Sequence, residues 1–198
     1  MFHSPVSICS NRLISRFYVF VFSVLLFLPG LVASAESKVN QDYHLSLYKD
    51  VQGSVDALEL FTKAPDKREF FGITCSMQSP MPLIQVILFD DEIMSETPKL
   101  LTVTLAIDGV ILKQKLQGII KVVDNADEFS NKIRLELVTQ KGSSFKDLQN
   151  SYRVLLKQLQ QGKAVTVQLE HRNLATKKVN FSLKGLGNLL VPNQNICF

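Results

Sequence analysis

Few side chains in this sequence have the type and spacing that chemistry requires. The cysteines Cys9, Cys75 and Cys197 could act as nucleophile, metal ligand or bridge. His171 follows Glu170, and such a pair could supply a general base with its orienting carboxylate. Adjacent strand residues point to opposite faces, however, so Glu170 and His171 read as solvated strand-end residues. His44 falls on the polar face of a short alternating segment and has no partner legible in sequence. Asp90-Asp91-Glu92 could ligate calcium, or lend an acid or base to a hydrolase. A calcium loop uses alternating oxygen ligands and a turn glycine. Here the carboxylates are consecutive and no glycine follows closely, so a solvated acidic turn is expected. The chain has no Gly-x-Ser-x-Gly, phosphate-binding loop, His-Glu-x-x-His or Cys-x-x-Cys.

The fate of the cysteines depends on the first residues. Arg12 and Arg16 precede the uncharged apolar run Phe17 to Leu28. Pro29-Gly30 breaks that run, and Ala33-Ser34-Ala35 has the small-x-small form of a cleavage site. These are the parts of a secretory signal in order, which predicts cleavage between Ala35 and Glu36 and a periplasmic or secreted product. The alternative is an uncleaved anchor, but Pro29-Gly30 interrupts the run near the lower length limit for a spanning helix, roughly 17–25 residues. Cleavage removes Cys9 and leaves Cys75 and Cys197, an even count in an oxidising compartment. A bridge between them would close a loop of well over a hundred residues. The chain-entropy model gives about 4–5 kcal/mol for such a loop. Two buried free thiols are the alternative reading. A two-cysteine metal site is disfavoured because no His or third Cys lies near either residue.

The signal carries two of the 22 basic residues and none of the 18 acidic ones, so its loss takes the net charge from +4 to +2. That weak charge gives no reason to expect a nucleic-acid partner. No second long apolar segment follows, so no membrane insertion is expected after cleavage. The short basic clusters Lys177-Lys178 and Lys63, Lys67, Arg68 read as solvated surface. Asn180-Phe181-Ser182 matches a glycosylation sequon, which matters only in a eukaryotic secretory route.

The remaining chain, residues 36–198, has the length of a single domain. Glu36 to Asp42 is polar and reads as a loose leader. Tyr43 to Tyr48 alternates like a strand, and Val55 to Phe61 leans to strand. Phe70 to Met77 places Phe71, Ile73, Cys75 and Met77 on one face. Leu83 to Phe89 is nearly all apolar, like a central strand. Leu101 to Ile107 alternates up to Asp108-Gly109, a pair suited to a type I′ hairpin turn because both central residues need positive φ. A returning strand is then expected, with a break at Gly118. Ile133, Leu135 and Leu137 alternate with charged residues. Ser143 or Ser144, with Asp147, caps a predicted amphipathic helix near 144–161 carrying Phe145, Leu148, Tyr152, Leu155, Leu156 and Leu159, with Gly162 as its stop. Two more alternating strands, Val165 to Leu169 and Val179 to Leu183, lead to the tail with Cys197. Short strands, regular turns and one helix predict a mainly β domain, an antiparallel β-sandwich or partly open barrel.

The segments Phe71-Gly72-Ile73-Thr74-Cys75, Asp108-Gly109, Lys163-Ala164-Val165-Thr166-Val167 and Phe181-Ser182-Leu183-Lys184-Gly185-Leu186, with the last cysteine Cys197, form a pattern. It resembles the bacterial periplasmic β-sandwich proteins of the type VI secretion-associated accessory (VasI/TagO) type. The helix–strand–strand part is also similar to the invasion-associated locus B family. The resemblance spans roughly Phe70 to Cys197. It implies an exported β-sandwich serving a secretion system or a host interaction. Together with the amphipathic strands, it leads us to expect an exported, non-catalytic binding or adaptor protein without a cofactor. Its partner would be another envelope or secreted protein, engaged by loops or an exposed strand edge. The alternatives are a cell-envelope hydrolase using Asp90, Asp91, Glu92 or His171, and a carrier of a small apolar ligand.

Overall fold

The computed structural model describes residues 35–89, 99–125, 128–172 and 174–198. The expected signal segment up to Ser34, with Cys9, and the acidic triplet Asp90-Asp91-Glu92 lie outside them. In chain order the elements are β1 (Ala35–Asn40), β2 (Tyr43–Lys49), β3 (Val55–Lys63), β4 (Glu69–Ser76), β5 (Leu83–Leu88), β6 (Lys99–Ile107), β7 (Val110–Ile111), β8 (Leu116–Asn125) and β9 (Glu128–Leu137). Helix α1 (Phe145–Gln161), β10 (Ala164–His171), β11 (Leu174–Ser182), the short helix α2 (Leu186–Leu190) and a 3₁₀ segment, Val191–Ile196, complete them.

The strands form one antiparallel sheet in the order β1-β2-β3-β4-β5-β9-β8-β6-β10-β11, with β7 paired to β6. The fold is therefore mainly β, as expected. The sandwich arises from a single continuous sheet folded over on itself. The ring of Phe71 on β4 lies 5.7 Å from that of Phe181 on β11, so the two halves meet through their inner faces. β1 and β11 do not pair with each other, and the sheet is not closed into a barrel.

Alternation builds the core. Leu45, Leu58, Phe71, Ile73, Ile84 and Val86 from one half and Leu105, Ile133, Val165, Val167 and Phe181 from the other are all buried in one cluster. The strand β5 has paired neighbours on both sides, but only Ile84, Val86 and Leu88 are fully buried. Its other residues are half-buried on the outer face, so the apolar run is covered fully on one side only.

Several expectations are corrected. The expected leader is β1, held by its ladder with β2 from Ala35↔Tyr48 to Asn40↔Tyr43. Its sequence hides this because Glu36, Lys38 and Asn40 occupy the positions facing the partners Leu47, Leu45 and Tyr43. Glu36 is paired with Lys38 at 3.0 Å and Lys49 at 3.2 Å. Met77 lies past the end of β4 and is exposed. Phe145, expected on the buried face of α1, is exposed as well.

The Asp108-Gly109 turn is present, with positive φ at both residues and Ile107 paired to Val110. Asp108 also tethers β10, because its Oδ1 accepts from the N–H groups of Ala164 at 2.9 Å and Lys163 at 3.0 Å. The return strand stops after Ile111, and pairing resumes with Leu116↔Val103. Gly118 is inside β8, not at a break. A Cβ there would lie 2.9 Å from Ile133 and 3.0 Å from Val103, so its lack of a side chain lets two core residues meet.

Helix α1 begins at a capping box. The Ser144 hydroxyl accepts from the Asp147 N–H, and the Asp147 carboxylate accepts from the Ser144 N–H. Tyr152, Leu155, Leu156 and Leu159 form its buried face. Gly162 ends it for reasons of space and not conformation. Its backbone is extended, and a Cβ there would lie 2.4 Å from Ile107.

Candidate functional site

Cys75 and Cys197 are joined in a disulfide, with Cα atoms 4.6 Å apart and both residues buried. Alternation on β4 turns Cys75 inward beside Phe71 and Ile73. On the other side, Gly185 turns the chain after β11 with φ +91°, and α2 and the 3₁₀ segment bring Cys197 back. The Cys197 N–H donates to the Gln194 carbonyl. Gly185 also touches β1, since a Cβ there would sit 2.0 Å from the Asn40 carbonyl oxygen. The bridge is structural: neither sulfur is free to act as a nucleophile.

Ala35 and Glu36, which flank the expected cleavage point, are the first two residues of β1. Glu170 and His171 end β10, and the Glu170 carboxylate accepts from the Gln168 amide. Among the described residues, no three His, Cys, Asp or Glu side chains come together to hold a metal ion. Among the same residues, no helix is long and apolar enough to cross a membrane.

The arrangement that sequence reasoning missed lies on the outer face of β2 to β5. His44 stacks on Phe61, with ring centroids 5.0 Å apart and planes within 8°. Phe61 meets Phe70 edge-on at 6.4 Å, and Phe70 meets Phe89 edge-on at 6.0 Å. The Arg68 guanidinium lies 4.3 Å from the Phe89 ring centre. These residues form a band across successive strands. Register builds it: His44 pairs with Phe61, and Phe61 with Gly72, which puts no side chain between the rings of Phe61 and its neighbours. Phe70 pairs with Lys63 on one side and Ile87 on the other, and Ile87 pairs with Lys132. The three Phe rings are half-buried, and His44 and Val39, its partner on β1, are exposed. The signal available in sequence was Phe70-Phe71. Adjacent residues of a strand cannot both face the core.

Between the two layers, Glu69 is buried and paired with Lys177 of β11 at 3.1 Å. This ion pair ties β4 to β11 across the fold. Tyr43 is buried without a hydrogen-bond partner for its hydroxyl, and burial pushes its ionisation far above the ordinary phenol range.

Compared with protein-family models, curated proteins and solved structures, the chain matches none.

Proposed function

We propose that this chain is an exported, non-catalytic binding or adaptor protein whose partner is another envelope or secreted protein. The observation that carries the reading is the outer aromatic band His44–Phe61–Phe70–Phe89 with Arg68 at its end. Aromatic residues and arginine are the types enriched at protein interfaces, and they supply most hot spots. Rings that already pack against one another lose little further side-chain freedom when a partner covers them. The sheet edges fit that role less well. The edge strand β1 turns Glu36 and Lys38 toward the core side, and β11 carries Lys177-Lys178, both devices that discourage strand addition. Export rests on the Arg12–Ala35 signal pattern, and the buried bridge is compatible with it. Service to a secretion system or a host interaction rests on the resemblance to the VasI/TagO-type and invasion-associated proteins.

Affinity capture from envelope and secreted fractions tests the reading. The wild-type chain should recover a protein partner, and His44→Ala/Phe61→Ser should recover at least about tenfold less, a loss of about 1.4 kcal/mol. Equal recovery by both proteins, or no partner for the wild type, would refute it.

A further inference from the structure

Helix α1 and the C-terminal segment border an open groove of about 790 Å³ that shares no lining residue with the aromatic band. One wall is Arg153, Lys157, Gln160 and Gln161 of α1, and the other includes Asn188 and Gln194. Positions 153, 157, 160 and 161 are spaced by one or two turns, so they share a helix face. Among the described residues, no acidic side chain lines the groove. Arg153 is held by the ring of Phe198, 4.2 Å from its centre, and among the described residues neither Arg153 nor Lys157 is ion-paired. Gln160 lines the same space through its exposed part, while its amide nitrogen is buried without a hydrogen-bond partner.

From this geometry we infer that the groove binds an extended acidic peptide with carboxylates at alternate positions, contributed by a second protein. Four residues of helix separate the two cations by about 6 Å along the axis. Alternate side chains of an extended strand are separated by about 6.7 Å. Two carboxylates of a Glu-x-Glu segment therefore meet Arg153 and Lys157 together. The side-chain amides of Gln161, Asn188 and Gln194 provide donors and acceptors for the backbone between them. Val191, exposed beside them, offers apolar contact to the intervening residue. The inference rests on the binding-protein reading and gives it a second, separate surface, which is what an adaptor requires.

The test is fluorescence anisotropy with the oxidised full chain and dye-labelled Glu-Val-Glu-Val-Glu at low ionic strength. The Gln and Lys versions of the same peptide are controls, and a short oligogalacturonate serves as competitor. The acidic peptide should bind at least about tenfold more tightly than either control and weaken with added salt. Lys157→Glu should weaken it about tenfold, and Arg153→Gln should do so too. Lys157 is solvent-exposed, so a matched thermal melt separates lost binding from lost folding. Equal affinity for the three peptides, binding unchanged in Lys157→Glu, or tighter binding of the oligogalacturonate would each overturn the inference. Partner capture through His44 and Phe61 without any peptide binding would remove the groove and leave the binding-protein reading intact. Peptide binding that depends on Lys157 with no partner captured would support the groove and remove that reading.

Discussion

Replacing both bridged cysteines in Cys75→Ala/Cys197→Ala tests the main long-range constraint of the fold. The two residues are 122 apart in sequence. In the chain-entropy model, opening a loop of that length frees the unfolded chain by about 5 kcal/mol at room temperature. Both residues are buried, so the missing sulfur atoms add a small cavity term of about 1 kcal/mol. Single domains have about 5–15 kcal/mol in all, so the expected loss is a third of the total or more. For a chain of this size it corresponds to a fall in Tm of roughly 10–20 °C. Urea unfolding followed by circular dichroism should give this difference. The urea dependence should steepen in the variant, because an unfolded chain without the cross-link exposes more surface. The wild-type chain under strong reductant should reproduce most of the loss without the cavity. A loss below about 2 kcal/mol in both experiments would refute the reasoning. It would mean that the unfolded chain already holds β4 and the tail together.

Gly185→Ala should destabilise by more than about 2 kcal/mol in the same assay, since its φ of +91° is joined by a Cβ position 2.0 Å from the Asn40 oxygen. Gly53→Ala, with φ +83° and nothing within 4 Å, should cost only about 1 kcal/mol, and equal effects would contradict the close-contact argument. Tyr43→Phe should be neutral or stabilise by up to about 1 kcal/mol, because the hydroxyl it removes is buried without a partner. A loss above that would reveal a bond made by the hydroxyl. The Ser144 hydroxyl, followed by its N–H, holds the Asp147 carboxyl below the usual range. A lowered value means stabilisation that is full above the ordinary carboxylate range, about 4, and is lost as pH falls through the folded value. Helical circular dichroism should therefore decline on acidification below that point, and the Ser144→Ala variant should lose the part of this dependence due to the cap.

The strands with buried side chains were legible because alternation reports a half-buried sheet. The pairing of Cys75 with Cys197 was legible from the cysteine count once the expected signal segment, with Cys9, was set aside. The strand β1 was not legible. It forms through backbone bonds to β2, and its inward positions hold Glu36, Lys38 and Asn40 in place of apolar residues. Nor could periodicity place Phe145 in solvent, since the first turn of α1 follows the helix period but extends past what the helix covers. Gly162 was correctly placed as the end of α1, but its reason, the approach of Ile107 and Leu183, is tertiary. The aromatic band depended on register between strands, and the groove depended on where the tail packs after Gly185. Neither quantity is local in sequence.

The strand order also dictates timing. Each of β2 to β5 pairs with the strand made just before it, so this half can assemble as it is made. The far side of β5 then waits for β9, because β6, β7 and β8 all come between them in the chain. During that interval Leu83–Leu88 presents an uncovered apolar edge, the kind of surface through which half-made chains stick to one another. The bond from Cys75 to Cys197 cannot form until β11 and the tail exist. The clasp therefore records that every strand has arrived, and a chain stalled before β9 has neither cover for its edge nor the means to lock.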